Sequence, residues 1–132
     1  MTTPDSPHGN AGGTRILVVD DNIDAAVSAA EILRLLGNEV SVAHDGMSAI
    51  RTVEEWQPKV VLLDIGLPGI DGYEVARRIR LQPAGRNVRL VALTGWGQDR
   101  DRRLAAEAGF DAHWVKPVGI DKLKELGASP AA

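Results

Sequence analysis

Along residues 15–126, short and almost unbroken apolar runs alternate with stretches whose apolar positions recur every three to four residues. Five runs read as strands, at residues 15–19, 39–43, 59–63, 88–93 and 112–115. Runs such as Ile16-Leu17-Val18-Val19 and Val60-Val61-Leu62-Leu63 lack the alternation of a half-solvated strand, so they are expected to be covered on both faces. Between them the period is helical. Residues 24–36 place Ala26, Ala30, Leu33 and Leu36 on one face, with Gly37 as the stop. A second helix follows Asp45-Gly46, buries Ile50 and Val53, and ends before Pro58. A third opens on Asp71 as N-cap, with Glu74 at capping-box spacing and Val75 and Ile79 as core contacts. The fourth, residues 98–108, is charged through its first half and leaves Leu104, Ala105 and Ala108 for the sheet. With Gly95 and Gly97 before it, this is the place to expect movement. The fifth is short, residues 120–126, with Ile120, Leu123 and Leu126 spaced by three. Strict strand–helix alternation forces parallel strands joined by right-handed crossovers, and hence a three-layer α/β/α sandwich.

Residues 1–14 are rich in Thr, Pro, Ser, Gly and Asn with no apolar period, and are expected to form a flexible leader. Residues 15–126 form one domain and 127–132 a short tail. The leader and initial Met, with nothing after Leu126 able to form an output domain, suggest a free-standing unit over a piece of a larger hybrid protein. Of the 132 residues, 44% are hydrophobic and 25% charged, as in an ordinary folded domain. A net charge of −3 supplies no general attraction to nucleic acid or anionic membrane. Without cysteine there is neither a disulfide framework nor a thiolate site. No apolar stretch reaches membrane-spanning length and the N-terminus does not read as a secretory signal, so a cytoplasmic location is expected.

The chemistry lies at strand ends. Asp20-Asp21 follow the first apolar run, Asp64 the third, Thr94 the fourth and Lys116 the fifth. Open α/β sheets hold their ligands at this edge. Unit charges about 4 Å apart repel by roughly 4 kcal/mol at an effective dielectric near 20, so three converging carboxylates call for a cation. All-oxygen ligation favours Mg²⁺. The plainer reading, that Asp20 and Asp21 merely cap a helix, suits one Asp better than two with a third on a neighbouring strand. Asp64 can act as a nucleophile toward phosphorus, with Mg²⁺ and the Lys116 ammonium neutralising charge and the Thr94 hydroxyl bonding a phosphoryl oxygen. Taken alone, Lys116 is a solvated lysine and Thr94 a residue of good β-propensity. His8, His44 and His113 show no metal-binding pattern. Trp96, two residues past Thr94, is expected to overhang the acids, and the arginines at 77, 78, 80, 100, 102 and 103 to be solvated helix faces.

The stretches Val18-Val19-Asp20-Asp21-Asn22, Leu63-Asp64-Ile65-Gly66-Leu67-Pro68-Gly69-Ile70-Asp71-Gly72, Leu93-Thr94-Gly95 and Val115-Lys116-Pro117, in this order and spacing, resemble the receiver domain of two-component response regulators from about residue 14 to 126. The resemblance implies a flavodoxin-like fold with five parallel strands in the order 2-1-3-4-5, two helices on one face and three on the other, and a cis bond at Lys116-Pro117. It makes Asp64 the phosphoacceptor and gives Asp20, Asp21, Asp64 and the carbonyl of Gly66 to Mg²⁺. Thr94 and Lys116 become the switch hydroxyl and the active-site lysine. A histidine kinase or phosphotransfer domain would be the donor, and an unidentified protein the downstream target. His113 occupies the position where the family usually carries Tyr or Phe. Two alternatives compete: a Mg²⁺-dependent phosphohydrolase with an aspartyl nucleophile, and a pseudo-receiver that binds partners without phosphorylation. A pseudo-receiver is expected to lack part of the acid and lysine set, which is complete here.

Overall fold

A computed structural model describes residues 13–95 and 99–127, residues 99–101 by their backbone alone. Five strands and five helices alternate: β1 (Arg15–Val19), α1 (Ile23–Leu35), β2 (Glu39–Ala43), α2 (Gly46–Trp56), β3 (Val60–Asp64), α3 (Gly72–Leu81), β4 (Arg89–Thr94), α4 (Asp99–Ala108), β5 (Ala112–Val115) and α5 (Ile120–Gly127). A 3₁₀ turn, Pro83–Gly85, leads from α3 towards β4. The strands form one parallel sheet in the order β2-β1-β3-β4-β5. This is the expected three-layer α/β/α, flavodoxin-like architecture. Strand order reverses between β1 and β3, which opens a crevice at their C-terminal ends.

The unbroken apolar runs are explained by their position. Leu17, Val19, Val61, Leu63, Leu90 and Ala92 pack with Val53, Val75, Ile79 and Ala105, on the face covered by α2, α3 and α4. The alternate residues Ile16, Val18, Leu62, Val91 and Leu93 pack with Ala26, Leu33, Leu123 and Leu126, on the face covered by α1 and α5. Each such aliphatic side chain, taken from water to full burial, contributes about 1.5–3 kcal/mol. The helices therefore divide two and three, as the resemblance implied.

Helix ends follow local chemistry. Asn22 caps α1 by accepting from the Ala25 N–H at 3.0 Å. Gly37, at φ +98°, closes α1 with Gly37 N–H bonded to Arg34 O and Asn38 N–H to Leu33 O, a Schellman arrangement. Leu36 thus falls beyond the helix and is 38% exposed, not on the inner face as its spacing suggested. Ile120 likewise faces solvent at 53% while Leu123 and Leu126 are buried, because Ile120 is the first residue of α5. Asp71 caps α3 through the Glu74 N–H at 2.9 Å, but the Glu74 carboxylate turns to Arg77 and Arg78 instead of completing a capping box. The third and fourth strands run one residue later than their apolar runs, so Asp64 and Thr94 are themselves the last strand residues. Sheet pairing continues one bond further, with the Ile65 N–H on Leu93 O and the Lys116 N–H on Thr94 O.

Candidate phosphoryl-transfer site

The ends of β1, β3, β4 and β5 meet at the crevice. Carboxylate oxygens of Asp20, Asp21 and Asp64 all lie within 4.8 Å of one another. Lys116 enters from the loop after β5, with Nζ 2.9 Å from Asp20 Oδ2 and 3.1 Å from Asp64 Oδ2. The remaining oxygens are held by backbone donors. Asp20 Oδ1 accepts from the Asn22 N–H at 3.0 Å, and Asp64 Oδ1 from the Gly66 N–H at 2.8 Å. Asn22, not an aspartate, caps α1, so the capping explanation for the paired acids fails here. Asp20 is buried, Asp64 partly buried and Asp21 exposed.

Burial alone would lower the Lys116 pKa. The hydrogen bonds that the ammonium donates to Asp20 and Asp64 and the attraction of both charges outweigh it, and the ammonium is held above the ordinary lysine range. Three carboxylates and one ammonium leave two negative charges unbalanced. Asp20 and Lys116 also line a cleft of about 450 Å³ whose other walls include the apolar Val18, Ala29, Leu62 and Leu93. A hard divalent cation with oxygen preference fits this donor set.

Thr94 is buried at the end of β4, and its carbonyl receives the Lys116 N–H at 2.8 Å, placing the two beside each other. Gly66 is committed through its N–H to Asp64. His113 lies on β5 opposite Ala92, on the face away from Trp114, and lines a shallow cavity of about 320 Å³ with Arg102 and Ala105 of α4. It is not among the groups at the acid cluster. The Lys116–Pro117 bond is cis. Trp96 and Gly97, and residues 1–12 of the leader expected over residues 1–14, lie outside the described residues.

Sequence reasoning passed over His44. Its Nδ1 is 3.0 Å from the Asp20 carbonyl, and since a carbonyl can only accept, Nδ1 carries the proton. The pairing of Val19 with Ala43 puts the following residues, Asp20 and His44, side by side. That proximity depends on register and leaves no periodic trace.

The response regulator receiver domain family matches residues 16–127, and the chain belongs to it. The receiver domain of sensor histidine kinase PA1611 from Pseudomonas aeruginosa PAO1, solved with a magnesium ion coordinated in its active-site cleft, is 35% identical. It aligns with a TM-score of 0.80 over 87% of this chain and 94% of that one. Sporulation initiation phosphotransferase F of Bacillus subtilis is 30% identical, covering 84% of this chain and 88% of that protein. Transcriptional regulatory protein PrrA of Mycobacterium leprae is 38% identical over 83% of this chain, which spans 46% of PrrA's length. The chain is therefore a receiver domain of the two-component type, with an acidic cluster compatible with Mg²⁺. No helix of the described residues is long and apolar enough to cross a membrane.

Proposed function

We propose that this domain is a phosphorylation switch whose phosphoacceptor is Asp64. A carboxylate oxygen of Asp64 attacks phosphorus of a phosphohistidine on a histidine kinase or phosphotransfer domain. The O–P bond forms, the N–P bond breaks, and the donor imidazole, already protonated by solvent on its other ring nitrogen, leaves as the neutral base. Asp20, Asp21, Asp64 and the Gly66 carbonyl would hold Mg²⁺, which when bound neutralises charge on the phosphoryl oxygens. Lys116 supplies a fixed positive charge on the other side, and Thr94 offers its hydroxyl to a phosphoryl oxygen. The added charge biases the segment after Thr94 and α4, with His113 of β5 alongside, and so alters binding to a downstream protein. The observation that carries this reading is the Lys116 ammonium shared between Asp20 and Asp64 inside a three-carboxylate cluster.

The test is incubation with Mg²⁺ and acetyl phosphate followed by intact mass. One base-labile phosphoryl adduct is expected, absent from Asp64→Asn. An unmodified wild-type protein, or multiple turnover of varied phosphate esters, overturns the proposal, and the second outcome points to a phosphohydrolase.

A further inference from the structure

Arg80, near the end of α3, commits its guanidinium to the sheet edge opposite the carboxylates. Nε and Nη2 donate to the Gly109 carbonyl at 3.0 and 2.8 Å, and Nη2 also meets Asp111 Oδ2 at 2.9 Å. Nη1 donates to the carbonyls of Gly85 at 2.9 Å, Val88 at 2.6 Å and Arg86 at 3.1 Å. One side chain thereby ties the end of α3, the 3₁₀ turn, the approach to β4 and the α4–β5 connection. Asp111 adds a second tie, since the Leu90 N–H donates to its Oδ2 at 2.9 Å and its own N–H donates to Leu90 O at 2.8 Å. This is more than the solvated helix face that its charge suggested.

Gly109 is fitted to the clamp in two ways. Its φ of +106° is a conformation that residues with a Cβ rarely take. A Cβ there would also stand 2.9 Å from Arg80 Cγ. The last turn of α4 is sealed beside it by the Phe110 N–H on Ala105 O and the Gly109 N–H on Ala106 O, with Ala105, Ala108 and Phe110 buried. Towards its other end α4 presents exposed Arg102 and Arg103. Among the described side chains of α4, the buried ones, Ala105 and Ala108, lie in its C-terminal half beside the clamp.

We propose that Arg80 is a positioning residue that makes the C-terminal end of α4 a fixed pivot. When Asp64 is phosphorylated, residues 99–104 are displaced while residues 105–112 stay in place. The displacement rests on the phosphoacceptor reading, whereas the clamp itself does not. Both are read by amide hydrogen exchange on the full chain. In the unmodified protein, Arg80→Lys keeps the charge but loses the fork, and the amides of Gly109 and Phe110 should exchange at least about tenfold faster with β1 and β3 unchanged. Asp111→Asn should shift the same amides less. With Mg²⁺ and acetyl phosphate, wild-type exchange should change within 99–104 and not within 105–112, and in Arg80→Lys the change should spread into 105–112. Exchange at Gly109 and Phe110 within twofold of wild type in both variants overturns the clamp. An equal phosphodonor response along the whole of wild-type α4 overturns the pivot. Failure of acetyl phosphate to add mass overturns the phosphoacceptor reading and, with it, the pivot; the variants' exchange in the unmodified protein still decides the clamp.

Discussion

The substitution Gly72→Ala should disable the site without touching a charged group. Gly72 is the first residue of α3 and lies under the loop that carries Asp64. A Cβ on Gly72 would collide with Ile65 Cα and stand 3.0 Å from both the Asp64 carbonyl and Ile65 Cβ, against an ordinary contact of 3.4 Å or more. Either α3 or the loop must retreat by about 1 Å. Helix α3 is held by Val75, Ala76 and Ile79 and strand β3 by Val61, Leu62 and Leu63, all buried, so the part that gives is the loop from Ile65 onward, and the Asp64 carboxylate turns with it. A shift of that size moves the Asp64 carboxylate, together with the Gly66 N–H that it accepts from, beyond hydrogen-bond reach of Lys116 Nζ, which it meets at 3.1 Å.

Displacement of a reacting group by about 1 Å costs on the order of 100-fold in rate, and overpacking costs about 1–3 kcal/mol of stability. A time course of adduct formation by intact mass gives the first quantity, and urea unfolding gives the second. Gly69→Ala is the control, because Gly69 has φ +79° yet nothing lies within 4 Å of its Cβ position. It should lose stability to backbone strain and keep its phosphorylation rate. If Gly72→Ala gains the adduct within about threefold of the wild-type rate, or Gly69→Ala slows as much, placement of Asp64 by the Gly72 contact is refuted.

Two further outcomes follow from the charges. Lys116 is held above its ordinary pKa in the folded state, so its contribution is fully present below the unfolded lysine value and lost as pH rises through the folded one. Urea unfolding at about pH 8 and about pH 11 should show a loss in wild type that is smaller in Lys116→Met, and equal losses would contradict the shift. Asp21 is exposed and close to two other carboxylates, so in chelator Asp21→Asn should raise stability slightly, by about 0.5–1 kcal/mol, while weakening stabilisation by added Mg²⁺. Thermal melts with and without Mg²⁺ check both halves, and an unchanged Mg²⁺ response would remove Asp21 from the ligand set.

Fold class was legible because strands buried on both faces must be apolar throughout, and the runs at Ile16–Val19 and Val60–Leu63 meet that condition without exception. Asp20, Asp64, Thr94 and Lys116 could be read together because each ends such a run, and parallel topology carries those ends to one edge. Contacts depending on register or on long side chains were not legible. His44 reaches Asp20 through the Val19–Ala43 pairing, and Arg80 looked like one charge among several on α3 until its carbonyl partners came from three other segments. Spacing also misplaced Leu36, since periodicity assumes that the helix continues past the residue it places.

The position of the cluster also explains its cost. Unit charges at 4.8 Å repel by about 3–4 kcal/mol at an effective dielectric near 20, so three carboxylates in that radius oppose folding unless the chain leaves them nowhere else to go. Asp20 and Asp64 sit at the ends of β1 and β3, whose preceding residues are among the most buried in the molecule. Moving either acid outward would drag Val19 or Leu63 from the core, at about 1.5–3 kcal/mol for each side chain. Lys116 relieves part of the repulsion and leaves the rest, which an incoming cation can relieve further. The strain therefore lies where binding can release it, and the same tightly packed strands that hold it fix the edge against which α4 is clamped.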